Sequence, residues 1–343
     1  MKVLVTGGRG LLGSAVVREL ARRGHDVTSF QRSSASHAYP VREMLGDITD
    51  PDAVAAAMVG QDGLVHLAAL VSMIGAWDDF VRVNVDGTRT VLDAAIAAGV
   101  MRFVQVSSPS VAHAGEPLVG AAATAADPDH ARGNYARSKA IAELGALSRD
   151  GDAMAVCAIR PHLVWGPGDT QLIGRIAERA RAGRLVLVDD GSALIDTTYV
   201  DNAAEAIAQA FERCDDPDVH GRAFVVSNGQ PRTVFELVSR IAIAAGGRPP
   251  TRHLPYPAAR AAGAAVERAW VRTGREGEPP LTAFVAEQLG TAHWFDQRET
   301  QEALAWRPRV SIEEGLAELA RSFTAEADAT RRGAPATWPS TAV

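Results

Sequence analysis

Thr6-Gly7-Gly8-Arg9-Gly10-Leu11-Leu12-Gly13 stands between an apolar run, Lys2 to Thr6, and a helical one, Leu11 to Arg23. Glycines in that place permit a tight turn, let the backbone approach a pyrophosphate and let the helix pack close to the strand, while the helix N-terminus turns its free amides toward the phosphates. Thr6, Gly7, Gly10, Leu11, Leu12 and Gly13 are therefore candidate contacts for a dinucleotide. A strand, a glycine turn and a helix in succession also form the first unit of a parallel sheet.

The same alternation continues outward from this unit. Apolar runs at Asp26 to Gln31, Gly63 to Ala69, Arg102 to Val106 and Ala153 to Ile159 are separated by helical patterns at Asp52 to Met58, Asp79 to Ala98 and Asn134 to Leu147. Such spacing predicts an α/β fold, a doubly wound parallel sheet of the Rossmann type with a smaller, mainly helical substrate-binding domain. Residues 1–165 are expected to form the NAD(P)-binding domain, with 190–226 returning to it through strands at Ala193 to Val200 and Ala223 to Ser227. Residues 166–189 and 227–323 are assigned to the second domain. The stretch 324–343, small, polar and Pro-containing, is expected to be a flexible tail. Pro249 to Pro280 reads either as a core helix of the second domain or as an amphipathic lip that admits a greasy substrate from a membrane or a partner protein.

An NAD site usually places an acid about 20 residues beyond the glycine turn, on the adenosine ribose. This chain has Gln31-Arg32-Ser33-Ser34 at the end of the second strand. Arg32 and Ser33, with Ser34, suit a 2′-phosphate through charge-assisted hydrogen bonds, so NADP is favoured over NAD. Asp47 and Ile48 are candidates for the adenine, and Ala68 and Ala69 are small enough to let the cofactor pass a strand end.

Tyr135-Ala136-Arg137-Ser138-Lys139 opens a predicted helix, and residues four apart share a helical face. A phenol near pKa 10 is a poor acid–base catalyst at neutral pH, but a neighbouring ammonium favours the phenolate. Of the 35 basic residues only Lys2 and Lys139 are lysines, and lysine is a compact point charge able to reach a ribose hydroxyl as well. Ser107-Ser108-Pro109-Ser110 follows a strand at the edge where doubly wound sheets bind ligands, and a serine hydroxyl there can hold a carbonyl. His66, inside a strand, reads as a hydrogen-bonded core residue, whereas His113 and His162, after strand ends, are candidate substrate contacts. Trp165 reads as packing at the domain junction or as a substrate contact.

Taken together, these residues resemble the extended short-chain dehydrogenase/reductases. The resemblance rests on Thr6, Gly7, Gly10 and Gly13; Asp47; Ala68 and Ala69; Asn84 within Val83-Asn84-Val85-Asp86-Gly87-Thr88; Ser108; Tyr135 and Lys139; and Arg160-Pro161, and it spans about residues 1 to 322. It implies that Tyr135 is the general acid or base, that Lys139 lowers its pKa and holds the nicotinamide ribose, and that Ser108 orients the carbonyl. It further implies that Asn84 supports a water-linked proton path and that Pro161 borders the cofactor. Asp196 to Ala203 and Pro308 to Gly315 are similar to the 3β-hydroxysteroid dehydrogenase-like branch. Ser110-Val111-Ala112-His113, Arg160 to Asp169 and Gly277 to Thr282 are similar to bacterial 2-alkyl-3-oxoalkanoate reductases of long-chain olefin and β-lactone biosynthesis. The implied reaction is reduction of the 3-keto group of a long-chain 2-alkyl-3-oxoalkanoic acid, with Ser110, His113, His162 and Trp165 as substrate contacts. The alternatives are a 3β-hydroxysteroid dehydrogenase and, from another class, a non-catalytic NAD(P)-sensing binding protein.

Composition bounds the remaining classes. At 343 residues, 47% hydrophobic and 22% charged, with a net charge of -6, the chain suits a globular enzyme and carries no basic field for nucleic acid. Cys157 and Cys214 lack partners at metal-ligand spacing and read as small buried hydrophobes, so no metal is expected. No apolar run approaches the roughly 18 residues of a membrane span, and no secretory signal is evident, which points to the cytoplasm. The expected partners are a large apolar small molecule, a second copy of the chain on the helices at Asp79 to Ala98 and Asn134 to Leu147, and acyl-processing enzymes, with peripheral membrane contact through the Pro249 to Pro280 region.

Overall fold

Val3, Leu4 and Val5 are all fully buried, which is what a strand covered on both faces requires. In the computed structural model, which describes residues 1–35, 39–113, 115–275 and 277–331, this segment is β1 (Lys2–Thr6) of a seven-stranded sheet. The other strands are β2 (Asp26–Gln31), β3 (Arg42–Leu45), β4 (Gly63–His66), β5 (Arg102–Val106), β6 (Ala155–Pro161) and β7 (Ala223–Val226). Their order is β3-β2-β1-β4-β5-β6-β7 and every pairing is parallel. The chain reverses direction across the sheet between β1 and β4, so the ligand crevice lies at the carboxyl ends of those strands.

Alternation along β1 divides the core in two. Val3 and Val5 pack with Val17 and Leu20 of α1 (Leu11–Arg22) and with Ile207 and Phe211 from the later helix Val200–Glu212. Leu4 points the other way, into a cluster with Met58 of α2 (Pro51–Met58) and Leu92. The expected helix from Asp79 to Ala98 begins as α3 (Trp77–Phe80), passes through a π-turn at Val81–Asp86 and continues as α4 (Gly87–Ala97). Next come α5 (Gly133–Leu147) and, after Pro161, α6 (Leu172–Arg181). Cys157 and Cys214 are both buried, their sulfurs 3.8 Å apart.

Three expectations are corrected. Ala193 to Val200 does not return to the main sheet: Leu194–Ile195 pairs with Arg232–Thr233 and His293–Phe295 in a separate four-stranded sheet, and Thr198–Tyr199 pairs with Val164–Trp165. The free side of β6 is already taken by β7, and the Thr198 hydroxyl instead donates to the carbonyls of His162 and Val226 just beyond those strand ends. Thr324 onward does not begin a tail. Helix Ile312–Arg331, anchored before that point by the buried stripe Ile312, Leu316, Leu319 and Phe323, continues as far as Arg331; residues 332–343 of the expected tail lie outside the described residues. Finally, Pro249 to Pro280 holds no core helix: in Tyr256–Thr273 only Ala259 and Gly263 are buried. Among the described residues no helix is long and apolar enough to cross a membrane.

Candidate active site

The glycine turn has the shape a pyrophosphate needs. Gly7 adopts φ +75, and a Cβ there would lie 2.9 Å from the Ala68 amide nitrogen. A Cβ on Gly13 would come within 2.1 Å of the Gly7 carbonyl oxygen, so α1 can approach the turn only with glycine at that position. Gly10 caps α1 without any side-chain hydrogen bond, which leaves the first-turn amides of Leu11 and Leu12 available to an anion. The Thr6 hydroxyl accepts from the Ala68 amide at 3.1 Å, fastening the two walls of the trough together. These residues fit a dinucleotide.

At the ribose end the structure adds a residue that the sequence reading missed. The Arg9 guanidinium, inside the glycine turn, donates to the Ser33 hydroxyl at 2.5 Å. Ser34 is turned elsewhere and donates to Glu43. Burial alone would raise the Asp47 carboxyl, but the Thr49 amide and hydroxyl, with Arg32 and Arg82 nearby, hold it below its ordinary value. Ile48 is core: a Cβ on Gly87 would meet it at 2.9 Å, so it packs beneath α4.

Tyr135 stands in the first turn of α5, close enough to Ser108 for that hydroxyl to favour its phenolate. Burial pushes this phenol up to about 12, with the Ser108 bond acting the other way. Lys139, one turn further, is buried and donates from Nζ to the Val106 carbonyl at 2.7 Å. Burial brings its ammonium down to about 8, against the pull of the Glu143 carboxylate. Desolvation dominates the phenol in this structure, and the Lys139 ammonium is turned to the end of β5. Ser108 also shares a 2.9 Å hydrogen bond with Ser110, whereas the Ser107 hydroxyl is buried with no partner.

Asn84 lies in the π-turn, a helical irregularity frequent at functional sites. Its side chain accepts from the Leu70 amide at 2.7 Å and donates to the Leu70 carbonyl and to Ser138, the neighbour of Lys139. Its main-chain carbonyl accepts from Thr88 at 2.6 Å. His66 joins Thr88 to Thr6, at 3.1 and 2.7 Å, and is the hydrogen-bonded core histidine expected. Because Thr88 donates to Asn84, it accepts from His66 Nε2, which leaves Nδ1 to accept from Thr6.

Pro161 ends β6 in register with Val226, and the segment after it leads to the other candidates. Trp165 is buried, its indole N–H on Thr197 and its ring edge-on to Tyr199, so it packs in the core rather than against substrate. His113 and His162 are buried too, in a cluster with Glu287 and His293. His162 Nε2 lies 3.2 Å from His293 Nδ1, and His113 Nε2 lies 3.4 Å from Glu287. Burial holds His66 down at about 3 and His293 at about 4, so both are neutral in the fold. Above pH 6.5 neither the folded nor the unfolded chain protonates them. Below it the unfolded chain takes up protons the fold refuses, and by pH 4 each should cost about 3 kcal/mol of stability. Thermal melts between pH 7 and pH 4 should therefore fall steeply, and a flat Tm over that window would contradict neutral burial.

Residues 4–256 match the 3-beta hydroxysteroid dehydrogenase/isomerase family. The 2-alkyl-3-oxoalkanoate reductase of Stenotrophomonas maltophilia is 43% identical, over 95% of this chain and 100% of that one. The 3 beta-hydroxysteroid dehydrogenase/Delta 5-->4-isomerase of Mycobacterium tuberculosis is 35% identical, over 92% and 89%. A short-chain dehydrogenase/reductase superfamily protein from Agrobacterium tumefaciens, solved with bound NAD, superposes with a TM-score of 0.74 over 97% of this chain and 100% of that one, at 22% identity, a likeness of fold. A parallel sheet with a glycine cradle and a Tyr-Lys helix, matched over most of its length, places the chain in the 3-beta hydroxysteroid dehydrogenase/isomerase family of NAD(P)-dependent extended short-chain dehydrogenase/reductases.

Proposed function

We propose that the protein uses NADPH to reduce the 3-keto group of a long-chain 2-alkyl-3-oxoalkanoic acid to the 3-hydroxy acid. The observation that carries this reading is the meeting of Ser108, just beyond β5, with Tyr135 and Lys139 on α5, Lys139 being held to the end of β5 through the Val106 carbonyl. A reduction needs a proton donor at the carbonyl oxygen, and a phenol that stays neutral at physiological pH is one. Ser108 would hold the carbonyl oxygen beside the phenol. Lys139 would stabilise the phenolate left behind and hold the nicotinamide ribose, while Asn84 keeps α5 and the Leu70 loop in register and supports proton return. Thr6 to Gly13 would hold the pyrophosphate, and Arg9, Arg32 and Ser33 a 2′-phosphate. Bound NADPH supplies the hydride.

The 43% identical Stenotrophomonas reductase supports the keto-acid substrate. The mycobacterial relative supports the second reading, oxidation of a 3β-hydroxysteroid. A non-catalytic nucleotide sensor is disfavoured by an intact serine, tyrosine and lysine at one spot. By the same resemblance, the hydroxy acid would feed long-chain olefin and β-lactone formation in the cytoplasm, and two copies would pair on α4 and α5.

Purified protein should oxidise NADPH in the presence of a synthetic 2-alkyl-3-oxo acid, and a preference for 3β-hydroxysteroids in the reverse direction would move it to the second reading. Arg9→Ala and Arg32→Ala should each raise the KM for NADPH by about tenfold and leave that for NADH unchanged, since a charge-assisted bond to the 2′-phosphate contributes on the order of 1.5–3 kcal/mol. Equal effects on both cofactors would remove the 2′-phosphate assignment.

A further inference from the structure

A half-buried charge is costly unless an opposite charge or a ligand compensates it. Every other arginine that the fold buries or half-buries, Arg23 and Arg160 among them, faces a carboxylate within ion-pair distance. Arg175 and Arg179 are the exceptions among the described residues. Both are half-buried, stand one turn apart on the same face of α6, and form no ion pair. Asp169, whose carboxylate accepts from the amides of Gln171, Leu172 and Ile173 at the start of the helix, feels the Arg175 charge but forms no ion pair with it. Arg179 donates to the Pro280 carbonyl at 2.7 Å, a neutral acceptor, and burial together with the neighbouring Arg175 disfavours its guanidinium charge more than Glu178 supports it.

The surroundings tie this pair to the candidate active site. Gly168, four residues before α6, packs beside the glycine turn, where its Cβ would lie 3.9 Å from Leu11. The segment bonded to Arg179 continues back to Glu278, whose carboxylate accepts from the Ser72 hydroxyl at 2.7 Å and the Met73 amide at 2.9 Å. That loop leaves the sheet through Ala68 and Ala69, and it exposes Val71 and Met73. The segment from Glu278 to Pro280 thus touches both the arginine pair and the exposed apolar loop.

We propose that Arg175 and Arg179 are the subsite for the terminal oxyanion of an acyl substrate, with the apolar Leu70 to Ile74 loop left for its alkyl chains. This inference rests on the reductase reading and deepens it: a keto acid has such a head group, and a sterol has none. The same guanidiniums would accept a free carboxylate or the phosphates of a carrier thioester.

The test measures steady-state kinetics on a 2-alkyl-3-oxo acid, its methyl ester and its coenzyme A thioester. Arg175→Gln is the first variant, because among the described residues Arg175 forms no ion pair and acts on Asp169 only from beyond that distance; Arg179→Gln and Arg179→Lys follow. The glutamine variants should raise the ratio of KM for acid to KM for ester by about tenfold, as loss of a charge-assisted contact does, with Arg179→Lys recovering part of it. A ratio that rises for the thioester instead assigns the site to the carrier phosphates. Ratios unchanged for both anionic substrates overturn the proposal, since a merely structural role would shift acid and ester together. Should wild-type protein turn over none of the three, the reductase reading fails. Binding of dodecanoate against dodecanol, read by tryptophan fluorescence, then decides the pair: selective loss of the carboxylate in Arg175→Gln supports it, and equal binding rejects it.

Discussion

Replacing Tyr135 with Phe should lower turnover by about 10² to 10⁴-fold, the range of a positioned acid–base group, while nucleotide affinity stays as it was. The substitution removes one hydroxyl and leaves the ring, so the first turn of α5 keeps its packing. What is lost is the proton that the phenol holds up to about 12. Ser108, still bonded to Ser110, can orient a carbonyl but has no comparable acidity to offer. A variant that keeps more than about a tenth of the wild-type rate would show that the proton comes from elsewhere, because an acid contributing less than tenfold lies below that range.

The second large effect concerns stability. Glu143 and Arg160 are an ion pair with no measurable exposure of the carboxylate, doubly hydrogen-bonded, and Arg160 also donates to the Thr124 carbonyl at 2.7 Å. Arg160→Met should cost about 3–5 kcal/mol, because it strands a buried carboxylate, whereas the double replacement Arg160→Met with Glu143→Leu should recover most of that loss. Denaturant unfolding of the three variants measures both numbers, and an additive result would show that the pair is not coupled. The pair also reaches the active site. Glu143 lies one turn beyond Lys139 and supports its ammonium, whose pKa burial has already brought down to about 8. Glu143→Gln should therefore move the alkaline fall of activity to lower pH, since Lys139 then gives up its proton more readily.

The parts of the site legible in the sequence are those built within a few residues of one another. Thr6 to Gly13 is a strand end, a turn and a helix start, and its demands on backbone conformation are met by the glycines themselves. Tyr135 and Lys139 share a face because helical geometry brings residues four apart together. His66 reads as core because a polar ring inside an apolar strand must find partners, and it finds Thr6 and Thr88. The illegible parts join distant segments. Arg9 reaches Ser33 across two strand ends. Leu194–Ile195 has strand composition, but its partners, Arg232–Thr233 and His293–Phe295, come from segments far along the chain.

The sequence by itself determined the chemistry present: a nucleotide cradle, a phenol, a lysine and a serine, each carried by a local motif whose geometry follows from covalent structure and short-range hydrogen bonding. Tertiary structure alone decided how those groups behave. Burial pushes the phenol up; packing turns His113 and His162 inward upon Glu287 and His293; and the packing of α6 leaves Arg175 and Arg179 as the half-buried arginines without an ion pair among the described residues. The physical reason is that desolvation and charge pairing depend on everything within a few ångströms, most of it distant in the chain, and no short motif records that.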